Sequence, residues 1–448
     1  MLQNNKYLHF VNFTHFNRWD VKSYQFQQIK FNNTVLLSDI LIPYNIPISK
    51  SEILLNNWSI ISKINFAGKL YLREKESAEL IKGNLHLVDG DTLIYSKINV
   101  RHGCVYFHSA NSTPFGVSSE YPAYKLNPQK VTGDYLVLIL RSSYFKNALS
   151  AKTSGIAKAR VKPTEFLSIE IPLPSLTEQK NIVDAYNFAI SQANHYAQEA
   201  DNIDEQIENY LQNKLGFAQV LITQKQTTIG KFIKLFHLKN ITRWDVYNSK
   251  NNSYSGLYSN QLLRDILIST PKYGAGYKAE KKQRDVRYIR ITDINEDGSL
   301  NNDFASVPKF DKQYLLKQND FLIARTGNTV GKTFLYDDSM GQAIYAGYLI
   351  KFELDTNKVN PQYLLAYTKS SAYKQWIKNN MRISAQPNIN SKQYEESPIV
   401  LPPLDIQNEI VEHIAALRTE QKDLRQKALI LRQQATQQFE QTIFEYNK

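Results

Sequence analysis

The residues of this sequence with the clearest chemical potential are Asn360-Pro361-Gln362-Tyr363. Enzymes that methylate adenine hold the flipped base and its amino group with an Asn- or Asp-Pro-Pro-aromatic motif. Here Gln362 replaces the second proline, and Gly274-Ala275-Gly276 lacks the third glycine of a cofactor-binding turn. The alternative, which we favour, is that Asn360 caps a helix that begins at this point.

A nuclease-like cluster of carboxylates is the second candidate. Asp265 with Glu280 and Lys282 loosely matches the D…ExK spacing of metal-assisted hydrolysis, but the segment around Glu280 has the composition of a solvated charge run. The stretch GNTVGKT (327–333) is one residue short of a phosphate-binding loop, and the eight histidines show no ligand spacing. We therefore predict neither a catalytic residue nor a metal site.

Composition indicates a folded protein with an anionic partner. A chain of 448 residues is too long for a single ordinary hydrophobic core, which indicates two or more domains. The formal net charge of +12 favours a polyanionic binding partner, although AT-rich coding would also enrich lysine. The single cysteine, Cys104, excludes an internal disulfide and fits a reducing compartment. No apolar run approaches the roughly 18 residues of a membrane helix, and the first residues lack a signal-peptide layout, so we expect a cytoplasmic protein without membrane contact.

One long sequence repeat organises the chain. LPSLTEQKNIV (173–183) recurs as LPPLDIQNEIV (401–411), 228 positions later, and RSSYFK (141–146) faces KSSAYK (369–374) at the same offset. Arg18-Trp19-Asp20 recurs as Arg243-Trp244-Asp245, where we expect a buried tryptophan and a local Arg–Asp pair at a sheet edge. A period of this length predicts a duplicated domain, because solenoid repeats are far shorter.

A long helix follows each copy of the repeated motif. Residues 177–215 and 405–448 contain neither glycine nor proline. Apolar or small residues recur in alternating steps of four and three, which is a heptad seam. The seam positions are Ile182, Tyr186, Ala189, Ala193, Tyr196, Ala200, Ile203, Ile207 and Tyr210, then Ile410, Ile414, Leu417, Gln421, Leu424, Ala428, Leu431, Ala435 and Gln438.

Local signals predict where these helices begin and end and how they pair. Ser175 and Glu178 have capping-box spacing, Asp405 is a candidate N-cap, and Gly216 is a candidate stop. A 38-residue helix is roughly 57 Å long and needs a partner for its apolar stripe. We expect the duplicate to be that partner, antiparallel about a pseudo-twofold axis. The polar seam residues Gln421 and Gln438 could fix the register of the pair or, as we favour, mark where water reaches the seam.

The segments before the helices predict mixed α/β globules. Short runs rich in tyrosine, isoleucine and valine, such as VRYIRITDI (286–294), are punctuated by glycine and asparagine. We predict an α/β (α+β) protein with a first recognition domain at 1–172, a helix at 173–217, a second domain at 218–400 and a helix at 401–448. The helix regions carry net charges of −5 and −1, which leaves about +18 on the globules and strengthens the case for a polyanion.

Several motifs of the two copies form a combined pattern. They are VRYIRITDINEDG (286–298), DFLIARTGNTVGK (320–332), RISAQPNINSKQY (382–394) and LPPLDIQNEIV in the second copy, and GDTLIYSKINVRHG (90–103) with LPSLTEQKNIV in the first. With these motifs the sequence resembles the specificity subunit of type I restriction–modification systems, and the resemblance covers the whole chain. The first copy departs from the pattern at YSKINVRHG, so loop roles do not transfer simply between the copies.

The resemblance implies a non-catalytic DNA-recognition subunit. Each globule would be a target-recognition domain for one half of a split sequence in double-stranded DNA, and the helices would be the spacer. Two adenine methyltransferase subunits would bind the chain, and motor–endonuclease subunits would join them. The chain itself would hold no cofactor, because S-adenosylmethionine is bound by the partner methyltransferase subunit.

Reading bases in the major groove needs Arg or Lys for guanine and Asn or Gln for adenine, on loops that reach base edges. We therefore expect the DNA-binding residues in basic turns that contain glycine. The candidates are Lys97, Asn99, Arg101, Lys152, Lys158, Arg160 and Lys162 in the first globule, and Lys272, Tyr273, Tyr277, Lys278, Arg325, Asn328, Lys332, Arg382, Gln386 and Asn388 in the second. Two alternatives stay open: a stand-alone methyltransferase or nuclease with its own centre, and a coiled-coil scaffold unrelated to DNA.

Overall fold

A computed structural model of the protein describes residues 33–74, 81, 83–152, 160–216, 257–381 and 387–444, without the side chains of residues 151 and 152. Some sequence predictions fall elsewhere. Both Arg-Trp-Asp triplets, Lys158, Arg382 and Gln386 lie outside the described residues, as does the side chain of Lys152. The chain forms two compact units, Met1–Tyr196 with Gln426–Lys448, and Ala197–Arg425. Each unit includes a globule and part of each long helix, and the boundaries drawn from the sequence stay predictions.

The first globule is built on two sheets with short helices against them. Its strands are β1 (Thr34–Leu36), β2 (Leu41–Tyr44), β3 (Pro47–Ile48), β4 (Ser59–Ile64), β5 (Leu70–Arg73), β6 (Leu85–Val88), β7 (Thr92–Tyr95), β8 (Val105–His108), β9 (Phe115–Ser118), β10 (Ala123–Leu126) and β11 (Glu170–Pro172). Its helices are α1 (Lys50–Leu55), α2 (Gly133–Arg141), α3 (Ser143–Lys152) and α4 (Pro163–Leu167), and the long helix α5 (Leu176–Leu215) follows.

The sheets of this globule have different patterns. One is antiparallel with the order β2-β10-β7-β8, the other has the order β3-β6-β9-β4-β5 with β4 parallel to β9, and β1 pairs with β11. All four residues of β7 are buried, as expected of a central strand rich in Leu, Ile and Tyr. The core lies between the first sheet and the helices, where the Tyr95 and Phe166 rings stack with centroids 4.1 Å apart.

The second globule repeats the antiparallel sheet. Its strands are β12 (Asn260–Leu262), β13 (Lys272–Tyr273), β14 (Arg287–Ile289), β15 (Phe321–Ala324), β16 (Thr333–Leu335), β17 (Ala343–Tyr345), β18 (Leu349–Phe352) and β19 (Pro398–Val400). Its helices are α6 (Pro361–Tyr367), α7 (Ser371–Asn380) and α8 (Ser391–Glu395), and the long helix α9 (Leu404–Phe444) follows. The four-stranded order β13-β18-β15-β16 corresponds to that of the first globule, whereas β14 and β17 form a parallel pair. The mixed α/β prediction is confirmed.

A buried glutamine explains why the chain repeats its LPxLxxQ motif. Gln179 Oε1 accepts the N–H of Thr132 at 2.9 Å, and its Nε2 donates to the carbonyls of Lys130 and Pro174 at 2.8 and 2.9 Å. Gln407 makes the same three bonds, at 2.7, 3.0 and 2.8 Å, with the residues 228 positions later: Asn360, Lys358 and Pro402. Each motif therefore fastens the first turn of a long helix to the globule before it.

The first long helix begins and ends where the sequence predicted. The Ser175 N–H donates to Glu178 Oε2 at 2.9 Å, and the Glu178 N–H donates to Ser175 Oγ at 3.3 Å, which confirms the capping box. The helix ends at Leu215, and Gly216 follows with a φ of 65°, a left-handed conformation that favours glycine.

The predicted start of the second long helix was wrong. The first helical hydrogen bond runs from the Gln407 nitrogen to the Pro403 carbonyl at 3.0 Å, so Pro403 precedes the helix and Leu404 begins it. Asp405 lies in the first turn rather than at the N-cap. Its carboxylate there faces the positive end of the helix dipole.

The helices pair in antiparallel fashion within each unit. In the first, the Tyr186 and Phe439 ring centroids lie 6.1 Å apart and Arg432 donates to Asn194 at 2.9 Å. In the second, Lys214 donates to Glu409 at 2.7 Å, and Arg418 pairs with Asp204. Residue numbers rise along one helix as they fall along the other, which confirms the predicted pairing.

The seam matches the predicted positions except at one point. Every predicted position on α5 is buried or half-buried, and so are those on α9 up to Ala435. Gln438 is exposed, and Phe439 occupies the buried position instead. Gln421 is buried and donates to the Ala200 carbonyl at 2.8 Å, so its side chain lies within the seam and is not exposed to solvent. Among the described helices, none combines the length and apolar composition of a membrane span.

Candidate nucleic-acid interface

Two loop frames, one in each globule, bring several predicted residues together. In the first globule, the Lys97 N–H donates to the Glu120 carbonyl at 3.0 Å, and the Lys97 carbonyl accepts the Val161 N–H at 2.8 Å. In the second, the Arg325 N–H donates to the Tyr348 carbonyl and the Ile389 N–H donates to the Arg325 carbonyl, both at 3.0 Å. Each pair of equivalent residues is 228 positions apart, so the two globules present the same backbone frame.

The side chains on the two frames differ in chemistry. The first frame carries Lys97, Glu120 and Arg160, and the Arg160 Nε lies 3.2 Å from Glu120 Oε2. The Arg160 side chain is mostly exposed, whereas this Glu120 oxygen is buried. The second carries Arg325, Tyr348 and Asn388 at the equivalent positions. The backbone hydrogen bonds of the frame are therefore the same in the two globules, whereas the side chains that it carries differ.

Asn99, Arg101 and Lys162 adjoin the first frame in sequence. Asn99 precedes a short 3-10 turn, Val100–His102, which closes at Gly103 with a φ of 85°. Arg101 lies in that turn, and its Nε and Nη2 are buried without a hydrogen-bond partner among the described residues. Lys162 is exposed at the start of α4, where its N–H donates to Glu165 at 2.8 Å. A basic turn thus stands beside the frame.

The second frame places two aromatic rings beside an arginine. The Arg325 guanidinium carbon lies 5.0 Å from the Tyr273 ring centroid and 6.0 Å from that of Tyr348. The Tyr273 hydroxyl donates to Ser391 Oγ at 3.1 Å, which fixes its ring on α8. Asn328 is exposed in the adjoining 3-10 turn, and Asn388 pairs with Thr326 through a backbone bridge.

Lys272 belongs to a charged network behind this frame. Its Nζ lies 3.1 Å from Glu353 Oε1, and Glu353 also contacts the buried Lys351 at 2.8 Å. The hydrogen bond from Lys351 is the largest of the effects that lower the pKa of Glu353 to about 2. Asp320 lies 3.1 Å from Lys351, and burial raises the pKa of this carboxyl. The network holds β13, which carries Lys272 and Tyr273, against β18.

The remaining candidates of the second globule have different surroundings. Lys332 donates to Glu296 at 2.8 Å and is mostly covered. The Tyr277 hydroxyl accepts the Asp311 N–H at 3.0 Å, and its ring meets that of Tyr314 edge-on, so Tyr277 packs within the globule. Lys278 is exposed and has no ionic or hydrogen-bond partner among the described residues. Lys278 is therefore better placed to contact an anion than Lys332 or Tyr277.

Sequence reasoning missed Glu120 and Tyr348. Neither lies in a glycine-containing basic turn, so the search for such turns passed over them. Their signal was the offset itself, because they are 228 positions apart and stand opposite Lys97 and Arg325 just beyond the ends of paired strands. Tyr348 is also 55% exposed, which is unusual for a large aromatic side chain.

The residues singled out for catalysis have structural roles. Asn360 caps α6, where its side chain accepts the Gln362 N–H at 2.9 Å. Asp265 accepts the Leu262 N–H at 2.9 Å, and Glu280 pairs with Arg284 at 2.6 Å. The segment Gly327–Thr329 joins two strands rather than a strand and a helix, unlike a phosphate-binding loop. Within the described ranges, no group of three or more His, Cys, Asp or Glu residues could hold a metal ion.

Comparison with known proteins finds similar specificity subunits of type I restriction enzymes. The specificity subunit of the type I restriction enzyme StySPI from Salmonella potsdam is 23% identical over 300 residues, which are 65% of this chain and 60% of that protein. The EcoKI specificity subunit from Escherichia coli (strain K12) is 23% identical over 299 residues, again 65% and 60%. The match thus spans about 60% of the length of these curated relatives.

A solved structure shares the fold. It is described as "Structural basis underlying complex assembly and conformational transition of the type I R-M system", and one of its chains aligns with a TM-score of 0.57 at 14% identity, over 92% of this chain and 98% of that chain. The family model described as "Type I restriction modification DNA specificity domain" matches residues 26–187 and 263–430, once in each globule. Because these segments cover most of the sequence, the chain belongs to the type I restriction modification DNA specificity domain family.

Proposed function

We propose that this protein is the sequence-specific DNA-binding subunit of a type I restriction–modification complex. Each globule reads one half of a bipartite target in double-stranded DNA. The family membership and the names of the curated relatives support this assignment. The net charge of +12 supplies the general attraction to phosphate that such binding needs.

The observation that carries the proposal is the repeated loop frame with different side chains. Lys97 and Arg325 have the same backbone partners, but they stand beside Glu120 in one globule and Tyr348 in the other. Two recognition sites of common origin would keep the scaffold and vary the contacts, because base edges are read by side chains. A protein that binds two different half-sites would have this arrangement.

The long helices would hold the two half-sites at a fixed spacing and would dock the partners. Two adenine methyltransferase subunits are the proposed partners, one for each copy of the repeat, because near-equivalent surfaces bind copies of one partner alike. Motor–endonuclease subunits would join this core. The antiparallel pairing seen within each unit supports a stiff spacer.

The chain would supply recognition and not catalysis. Asn360, Asp265 and Glu280, the residues first considered for chemistry, are used for capping and ion pairing. S-adenosylmethionine would be bound by the methyltransferase partner, and the specificity subunit would need no cofactor of its own. The structural roles of those three residues weigh against a stand-alone methyltransferase or nuclease.

The test is to sequence methylated adenines in the genomes of cells with and without this gene. The proposal expects a split site, with two defined halves and a constant gap, whose methylation disappears when the gene is deleted. The purified chain, incubated with DNA and S-adenosylmethionine or magnesium, should neither methylate nor cleave it. Methylation that is independent of the gene, or modification by the chain alone, would contradict the proposal.

A further inference from the structure

Arg325 has an unusual setting for a surface cation. Its guanidinium lies over the rings of Tyr273 and Tyr348, with the ring centroids 5.0 and 6.0 Å from the guanidinium carbon. Its Nε lies 3.3 Å from the Gly347 carbonyl oxygen. Within the described residues, Nη1 and Nη2 have neither a hydrogen-bond acceptor nor an acidic partner. The guanidinium is thus held through Nε, while its two outer nitrogens have no ligand from these residues.

Both rings are themselves held in place. The Tyr273 hydroxyl donates to Ser391 Oγ and accepts the Ser391 N–H, each at 3.1 Å. The backbone of Tyr348 accepts the Arg325 N–H at 3.0 Å, so this ring and the arginine stand on paired segments. Tyr273 and Tyr348 are 41% and 55% exposed. Two large aromatic side chains are therefore kept at the surface beside one cation.

The geometry points to Arg325 as the reader of a guanine in the major groove, with Tyr273 and Tyr348 as the residues that position it. This inference rests on the proposed function. Guanine presents O6 and N7 side by side, and the two outer nitrogens of a guanidinium match them in one plane. Contact with the two rings and the hydrogen bond from Nε to Gly347 restrict the guanidinium before the DNA arrives, so less side-chain entropy is lost on contact.

A phosphate contact would not need this arrangement. Phosphate oxygens accept hydrogen bonds over a wide range of directions, and flexible lysines on the same globule, such as Lys278, can reach them. Lys97 occupies the equivalent position in the first globule, beside the Glu120–Arg160 ion pair. Its ammonium group lacks the coplanar pair of outer nitrogens that a guanidinium offers. At this frame position, a guanidinium contact to guanine is therefore expected from the second globule and not from the first.

The experiment compares variants of the full-length chain in the complex purified from its own cells. Methylated sites are sequenced in cells that carry the natural chain, Arg325→Ala, Tyr348→Ala, Tyr348→Phe or Lys97→Ala. Binding is then measured on duplexes in which each guanine of the site is replaced in turn by 7-deazaguanine, which lacks the N7 acceptor. The natural chain should lose affinity at one guanine by at most the roughly 5- to 150-fold of a whole bidentate pair, because 7-deazaguanine removes one of the two acceptors.

Arg325→Ala should make that guanine position tolerant of other bases and insensitive to 7-deazaguanine, while the other half-site stays unchanged. Tyr348→Ala should weaken discrimination at the same position more than it weakens binding to unrelated DNA, and Tyr348→Phe should restore it because the ring remains. Lys97→Ala should act only on the opposite half-site.

Failure of this inference can be told apart from failure of the proposed function. If no split methylation site depends on the gene, the proposed function fails. If a split site exists but Arg325→Ala weakens all sequences equally, the arginine grips a phosphate and the inference is overturned. A half-site without guanine, or undiminished 7-deazaguanine sensitivity in Arg325→Ala, would overturn it as well.

Discussion

Glu440, near the end of α9, accepts two hydrogen bonds from Ser143, the first residue of α3: its Oε1 lies 2.6 Å from the Ser143 nitrogen and its Oε2 lies 2.7 Å from the hydroxyl oxygen. The second unit has the reciprocal contact, in which Glu208 of α5 accepts the Ser371 N–H at 3.1 Å. Ser143 and Ser371 are 228 positions apart, yet each is held by the long helix of the other copy. Each globule is therefore fastened to its own helix by a glutamine and to the other copy's helix by a glutamate.

The first prediction concerns this carboxylate. Glu440→Ala should destabilise α3 by about 1 kcal/mol, because the N–H groups of a first helical turn lack partners within the helix and a carboxylate there also meets the positive end of the dipole. Hydrogen exchange of peptides from α3, followed by mass spectrometry, should be about fivefold faster. Glu420→Ala, at an exposed position on the same helix, is the matched control and should leave α3 unchanged. Equal exchange in the two variants would mean that the contact contributes nothing.

The second prediction concerns the glutamine that anchors each long helix. Gln407→Ala removes three hydrogen bonds in a site with no solvent exposure and leaves the Asn360 N–H and two carbonyls without their partner. We expect a loss of roughly 2 kcal/mol in the free energy of unfolding, measured by urea denaturation, since an unsatisfied buried group carries its full desolvation cost. Gln179→Ala should have a similar effect in the first unit. Gln433→Ala, exposed on α9, is the control, and equal stability of Gln407→Ala and this control would refute the anchoring role.

Features that depend on periodicity were predictable from the sequence. The heptad steps placed Ile203, Ile207 and Ile410 in the seam because an apolar stripe on a long helix must be covered, and all three are buried. The capping box at Ser175 and the stop at Gly216 follow from local backbone chemistry, and both were correct. These signals depend on neighbours in sequence, so no tertiary knowledge was needed.

Features that depend on strand pairing were not predictable. Tyr348 stands opposite Arg325 only because β15 and β18 pair in one register, and no pattern within either segment gives that register. In the same way, the sequence did not indicate that Lys332 is paired with Glu296 while Lys278 has no such partner within the described ranges. The prediction that Asp405 is the N-cap of α9 was wrong because the residue before a helix can be a proline, and Pro403 is that residue here.

The third prediction is a dependence of stability on pH through Glu353. Its pKa is lowered from 4.5 to about 2, chiefly by the hydrogen bond from Lys351, with further bonds from Ser269 and Lys272. A carboxyl whose pKa is lower in the folded state stabilises the fold fully above its ordinary pKa. That contribution, about 3 kcal/mol, is lost as the pH falls from 4.5 toward 2.

Glu353→Gln should therefore unfold more easily than the natural chain at pH 7, and the difference should shrink as the pH is lowered through this window. Urea denaturation at a series of pH values measures it. Glu412→Gln, at an exposed position on α9, should follow the natural chain throughout. A difference between Glu353→Gln and the natural chain that stays constant from pH 7 to pH 3 would show that this carboxyl has no such linkage.

The last prediction separates two lysines that the sequence treated alike. Lys278 is exposed without a partner among the described residues, whereas the Lys332 amine is already 2.8 Å from Glu296. Lys278→Ala should weaken binding to every duplex by a similar factor and reduce the slope of log affinity against log salt by about one unit, since one phosphate contact releases about one counterion. Lys332→Ala should change the slope less, because its charge is balanced within the protein. Titrations of cognate and unrelated duplexes at several salt concentrations measure both slopes, and a larger change for Lys332→Ala than for Lys278→Ala would show that internal ion pairing does not decide which lysines meet DNA.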